Sequence, residues 1–357
     1  MSIDFSKDRW IKIKEDSQKW WAGELDRPLI QFRVPKNPDR APSRLPFHSF
    51  TAFYGLDTPC DEIIDAYDYE LSSFEYIGDA FPTFFPNFGA GVMAALLGCE
   101  LLSTPETNTV WFYPKNDIDI DDLLFKFDKS NIWLNRIKDI LKAAVDRWGD
   151  NIVYATTDIG GSLDILASFR PGEKLIIDLY DNPEKVKELN WQIHDLWFEY
   201  FKEFESVTKD VNQGYSAWCP IYSSTPYYML QCDFCYMISP EMFDEFVKPE
   251  LTASCKRLSN PFYHLDGPGQ LPHLDSLLSI PELKGIQWIP GSGVPDWHHW
   301  PEVYRKIRDA GKLIQVYGNR KTLDVLTEQL GSPKGIVIIG SPKTVEEAQA
   351  CYDDYCS

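Results

Sequence analysis

The strongest constraint on this chain is a rhythm near its C-terminal end. PFYHLDG (261–267), GIQWIPG (285–291), KLIQVYG (312–318) and GIVIIG (335–340) are short apolar runs that recur about every two dozen residues. Each ends in glycine or a polar side chain, and helical segments such as HLDSLLSI (273–280) and WPEVYRKIRDAG (300–311) lie between them. Strands alternating with helices at this pitch imply βα units and a parallel sheet, because neighbouring parallel strands need a crossover between them. Upstream, PLIQFRV (28–34), NIVYATTDIGG (151–161), YSAWCPI (215–221) and YYMLQCDF (227–234) are also strand-like. Seven to nine such strands predict an α/β fold, a TIM (β/α)8 barrel rather than an open doubly wound sheet.

The remaining segments are read as helices and turns. Trp10, Ile13 and Trp20 recur near helical spacing and predict a helix over 4–25. That helix and the Pro-rich passage after it make residues 1–50 an N-terminal helical cap on a single domain spanning 1–357. Cys60 to Ile77 reads as helical, and Gly89 and Gly91 precede an apolar helix in FPTFFPNFGAGVMAALLG (81–98). NDIDIDDLL (116–124) is expected to open a helix, and Leu175, Ile177 and Leu179 to form the apolar face of another. Asp181 and Pro183 open a long helix near 182–206. Ser239-Pro240-Glu241 opens a further one, with serine at the N-cap and proline in the first turn.

Charge narrows the partners. A formal net charge of −19 excludes nucleic acid or an anionic membrane as the main partner, since both demand a cationic face. No stretch approaches the roughly 20 apolar residues of a membrane helix, and the charged amphipathic start has no signal-peptide core. Eight cysteines without dense spacing read as reduced thiols of a cytoplasmic protein.

In a barrel of this kind chemistry sits at the C-terminal ends of the strands. Those ends collect Asp158; Trp218 and Cys219; Gln231, Cys232 and Asp233; His264 and Asp266; Gln287 and Trp288; Gln315 and Tyr317. Positions two apart on a strand share a face, so His264 and Asp266 point the same way. Three readings of that pair stay open: a hydrogen-bonded strand terminus, a metal-ligand pair, or an acid/base pair. Cys232-x-x-Cys235 resembles half a zinc site without its second half.

Several passages carry a likeness that spans most of the chain. DRPLI (26–30), FGAGVMAALLGCE (88–100) and SLDILASFRPGEKLIIDLYDNPEKVKEL (162–189) are followed by CDFCYMISPEMFDEFVKPEL (232–251) and YHLDGPG (263–269). Together they resemble the uroporphyrinogen decarboxylase superfamily, which also contains corrinoid- and coenzyme-M-dependent methyltransferases. The resemblance implies a TIM barrel. True decarboxylases of that superfamily carry an arginine-rich N-terminal segment that grips porphyrinogen carboxylates, and PLIQFRVPKNPDRAPSR (28–44) lacks it. The methyltransferase branch binds zinc through a His-x-Cys pair on this strand and a cysteine near the last strand. Here the pair is His264-Leu265-Asp266, and IIGSPKTV (338–345) has no cysteine. Nitrogen and oxygen ligation is harder than thiolate ligation and favours activation of an oxygen-bearing group over a thiol.

The resemblance therefore implies a methyltransferase-like enzyme that moves a methyl group between a small methylated compound and a corrinoid protein. The cobalamin would arrive on that partner. Zinc would sit on His264 and Asp266, with Cys232 as a third ligand. His264, Asp266, Asp233 and Asp158 are the expected catalytic residues. Trp218, Gln231, Gln287, Trp288, Gln315 and Tyr317 are the expected substrate walls. The alternative is a metal-independent decarboxylase of a carboxylated substrate, in which Asp266, Asp233 and His264 run proton transfer. A carbohydrate-active barrel, suggested by 12 tryptophans alone, ranks last.

Overall fold

A computed structural model describes Ile3 and residues 5–356. Its strands are β1 (Leu29–Pro35), β2 (Phe74–Gly78), β3 (Thr83–Phe84), β4 (Glu100–Thr104), β5 (Thr109–Tyr113), β6 (Val153–Tyr154), β7 (Tyr227–Leu230), β8 (Asn260–Asp266), β9 (Gly285–Ile289), β10 (Leu313–Tyr317) and β11 (Ile336–Gly340). The rhythmic runs all become strands. Each is followed by a helix on the sheet's outer face, so each strand is apolar on both sides.

One seven-stranded sheet has the order β2-β1-β11-β10-β9-β8-β7. All its pairings are parallel except β1 with β2. β3 and β6 form a separate parallel pair, in which Thr83 faces Val153. Among the described residues no ladder joins that pair to the main sheet. The architecture is therefore a mixed α/β fold with a parallel sheet, and a closed barrel is not itself shown.

The cap differs from expectation in one respect. Residue 4 lies outside the described residues, and the first helix runs Lys7–Trp21 with Ser6 accepting from the Arg9 N–H. It covers the N-terminal ends of the strands, away from the polar strand ends. Trp20 donates its indole N–H to the Ile336 carbonyl at 3.2 Å and stacks on Phe262, and Trp21 donates to the Tyr222 carbonyl at 2.9 Å. Arg27 clamps the helix in place, reaching both oxygens of Asp79 at 2.7 and 2.8 Å and Asp16 at 2.7 Å. β1, however, belongs to the main sheet between β2 and β11, so the cap is the helix and not the whole of 1–50.

Three further expectations are corrected. The helix expected from Cys60 to Ile77 stops at Ser72, and Phe74–Gly78 is β2, drawn into strand by the free edge of β1. The acidic stretch 116–124 makes only a 3-10 turn, Ile120–Asp122, before the helix Ile132–Trp148 capped by Asn131. YSAWCPI contributes one isolated bridge, Tyr215 to Ser223, rather than a strand. Ile177 is half-exposed while Leu175 and Leu179 are buried, as i and i+4 on one helix face must be. The β4–β5 hairpin has no counterpart in the strand series; its turn contains Asn108 at φ 51°.

Candidate active site

The two chain segments that build the site meet at the C-terminal edge of β7 and β8. β8 ends in His264 and Asp266, and its register sets His264 beside Gln287 on β9 and Asp266 beside Ile289. Gly267 then turns with φ 76°, a left-handed conformation that a side chain resists, and its N–H donates to the Ile289 carbonyl at 2.8 Å. A Cβ at Gly269 would lie 2.4 Å from the Tyr236 ring. The Gly-Pro-Gly sequence thus lets the chain leave the strand beneath an aromatic ring and keeps His264 and Asp266 together.

Beyond β7 the chain coils into the 3-10 turn Asp233–Met237. Asp164, in the first turn of the helix Ser162–Phe169, receives the N–H groups of Asp233 at 3.0 Å and Phe234 at 2.7 Å. That clamp aims the Asp233 carboxylate at β8. Asp233, His264 and Asp266 each offer a ligand atom within 4.8 Å of the others'. Among the described residues this is the one cluster of three His, Cys, Asp or Glu groups so disposed. Burial, and then the neighbouring Asp266, raise the Asp233 pKa; His264 opposes them.

His264 is held by amides. Its Nδ1 donates to Gln287 Oε1 at 2.5 Å, and Gln287 Nε2 donates to Gln315 Oε1 at 2.5 Å. With Nδ1 as the donor, Nε2 carries the free lone pair, the tautomer that a metal or an acid/base role requires. Trp218 stands edge-on to the imidazole, ring centroids 5.0 Å apart. The Trp218 Nε1 and Gln315 Nε2 donors are buried without partners. Buried donors left unpaired cost free energy, so these two invite an acceptor from a bound molecule.

Behind the cluster, Asp158 is buried and accepts at Oδ1 from the Tyr228 hydroxyl at 3.2 Å and Gln231 Nε2 at 3.3 Å. Burial first, then Asp233, pushes its pKa up to about 7 against the opposing Tyr228 hydrogen bond. Tyr317 ends β10, on the same side as Gln315, and Cys219 lies beneath Gln287 with Sγ 3.5 Å from Nε2. Burial pushes the Cys219 thiol up to about 12, so it is not a thiolate near neutrality.

Two expected residues are placed elsewhere. Cys232 is buried; its hydrogen bond with Cys235 and its burial push its thiol well above the usual range. It is outside the three-residue cluster, and its neighbour Asp233 occupies that place. Trp288 alternates to the outer face of β9, buried against Trp300 at 5.1 Å between centroids. Asp164 was missed. Its position three residues after Gly161, with a β-strand turn to receive, is the only local signal of its role.

A cleft of about 410 Å³ adjoins the cluster beneath the β4–β5 hairpin. Asp233, Asp164 and Gln231 line one side and Trp111, Phe112 and Tyr113 the other. Gly160 and Gly91 let the two sides approach, since a Cβ at Gly160 would lie 2.5 Å from the Gly91 Cα. The helix after Gly91 is only Met93–Leu96, too short to support an anion site of its own.

No protein-family model matches the chain, and no curated protein matches it significantly. Among solved structures, a methyltransferase from Methanosarcina mazei superposes with TM-score 0.62 over 97% of this chain and 99% of that chain, at 11% identity. The chain shares that protein's fold. An enolase protein from environmental genome shotgun sequencing of the Sargasso Sea aligns with TM-score 0.21, 11% identity and 62% coverage of this chain and 66% of that one, too distant to inform the fold. All eight cysteines are unpaired, and among the described residues no helix is long and apolar enough to cross a membrane.

Proposed function

We propose that this chain is a methyltransferase-like enzyme related to the uroporphyrinogen decarboxylase superfamily. It moves a methyl group between a small methylated compound and a corrinoid carried by a separate protein. The observation that carries this reading is the Asp233–His264–Asp266 cluster at the C-terminal edge of a sheet whose fold is also that of a methyltransferase. In the same reading β3 and β6 complete a barrel between the two edge strands, β2 and β7.

The donor set fits a divalent ion such as zinc. Nε2 of His264 is free, Gln287 fixes the ring from the other nitrogen, and two carboxylates converge with it. Asp233, His264 and Asp266 would hold the ion, with Asp233 in the role expected for Cys232. A zinc ion there supplies Lewis acidity toward the reacting heteroatom. The chain's own residues do the rest. Gln287 and Gln315 orient His264, Trp218 packs edge-on against its ring, and Asp158 retains a proton close to neutrality. In the transfer itself the donor's carbon–heteroatom bond breaks and its electron pair stays on the heteroatom. The methyl carbon bonds to cobalt(I), which supplies the new pair.

Protein purified without chelator should contain close to one zinc per chain. Incubation with cob(I)alamin and a panel of methylated amines and methoxylated aromatics should give methylcobalamin, followed by absorbance. Substoichiometric metal, with no methyl transfer from any donor, overturns the proposal. A metal-free decarboxylase is the second reading, favoured by the buried Asp158 whose raised pKa suits a proton donor. Loss of CO2 would leave a carbanion that takes that proton, and turnover of uroporphyrinogen would decide for it.

A further inference from the structure

The cleft beneath the β4–β5 hairpin has an unusual composition for its size. About 410 Å³ falls within the range of small-molecule sites. Trp111 and Tyr113 project from β5, Phe234 lies opposite, and Asp164 and Asp233 supply two carboxylates. Among the described residues no lysine, arginine or histidine lines it. Trp111 is 58% exposed and Tyr113 44%, an expense of bare aromatic surface that a fold does not need for its own packing.

We propose that this cleft binds the quaternary methylammonium group of the methyl donor, with the rings of Trp111 and Tyr113 against its methyl groups and the carboxyl oxygens of Asp164 and Asp233 on the facing wall. The proposal rests on the methyl-transfer reading and assigns it a substrate class. Aromatic faces attract such cations through the ring quadrupole, and a low-dielectric recess strengthens the attraction. The hydrogen-bonding pattern selects among cations. Both oxygens of Asp164 already accept backbone N–H groups, from Asp233 and Phe234. Neither oxygen is left open for a hydrogen bond from a ligand, and a quaternary ammonium donates none.

Position ties the cleft to the chemistry. Asp233 both lines the cleft and stands in the cluster with His264 and Asp266. An N-methyl group bound there lies beside the reacting centre. The transfer balances without a proton: the C–N bond breaks, its electron pair stays on nitrogen, and the methyl passes to cobalt(I) of the corrinoid partner.

The test is isothermal titration of the full chain with choline, tetramethylammonium and the neutral isostere 3,3-dimethyl-1-butanol at constant ionic strength. Choline and tetramethylammonium should bind, and the isostere should bind roughly tenfold or more weakly. Trp111→Ala should weaken choline by roughly 3- to 30-fold, the worth of one ring, and Trp111→Phe should restore most of it. Trp111 is a surface residue, and circular dichroism of each variant checks that the fold is kept. Equal binding of the isostere, or no change in Trp111→Ala, overturns the cleft proposal. Binding that follows the expected pattern, without methyl transfer to cob(I)alamin from choline or any other donor of the panel, upholds the cation cleft and removes the methyl-transfer reading instead. Methyl transfer from methoxylated aromatics with no ammonium binding does the reverse.

Discussion

Replacing Asp158 by asparagine should stabilise the protein at alkaline pH relative to acid pH. The carboxyl is 7% exposed, and its pKa lies near 7 rather than at the ordinary 3.8. Between those values the folded chain still binds the proton that the unfolded chain has released. The unfolded state therefore binds fewer protons, and stability falls as pH rises through the window from about 4 to about 7. A gap of about three pH units at about 1.4 kcal/mol each sets the full penalty at no more than about 4 kcal/mol above pH 7. Asparagine removes the ionisation; its Oδ1 can still accept from Tyr228 and Gln231, while its amide meets the Gly91 and Gly160 N–H groups that face the carboxyl, a cost that does not vary with pH. Urea unfolding of both proteins in chelator, at several pH values from 4.5 to 8.5, isolates the effect as the difference between them. That difference should move by about 2–4 kcal/mol in favour of Asp158→Asn as pH rises from 4.5, and level off above pH 7. A difference independent of pH would show that Asp158 ionises normally and that its burial is not the controlling term.

Three further outcomes follow from the same geometry. Gln287→Leu frees the His264 ring and strands the Gln315 oxygen, so zinc affinity measured by chelator competition should fall by about 10- to 100-fold; an unchanged affinity would remove His264 from any metal site. Asp164→Asn sets an amide donor against the Asp233 or Phe234 N–H, and thermal unfolding should show a loss of about 1–3 kcal/mol together with weakened metal binding. Gly161→Ala places a Cβ 2.1 Å from the Gln231 carbonyl, backbone against backbone, and should cost about 3 kcal/mol or more by denaturant titration. Wild-type stability for that variant would mean that β7 can withdraw freely from the Gly160-Gly161 turn.

Part of the site was legible because strands are local. The runs at β8, β9 and β10 announce themselves by apolar residues closed by polar ones, and two-residue alternation puts His264 with Asp266 on one face. The same alternation, applied to β9, separates Gln287 from Trp288, and the structure places Trp288 outside accordingly. That correction needed only the period of a strand. The exchange of Cys232 for Asp233 did not have such a signal. β7 ends at Leu230, and the 3-10 turn that follows no longer alternates, so which of two neighbours faces His264 depends on the Asp164 clamp some 70 positions away.

Strands missed in the N-terminal half, among them β2, β4 and β5, have the same origin. Phe74–Gly78 continues an apolar pattern from the preceding helix, and only the unpaired edge of β1 makes it a strand. The β4–β5 hairpin does not belong to the βα rhythm, yet it roofs the cleft beside Asp233.

By itself the sequence determined the βα rhythm, the parallel sheet, the identity of the polar strand ends and the His264–Asp266 pair. Each of these depends on residues within a few positions of one another, where backbone geometry and side-chain period act directly. Tertiary structure alone decided that Asp233 and not Cys232 stands third in the cluster, that Gln287 and Gln315 orient His264, that Asp158 holds its proton near neutrality, and that an aromatic hairpin closes over the site. Those are properties of distance and desolvation between segments far apart in the chain, and no local pattern encodes either.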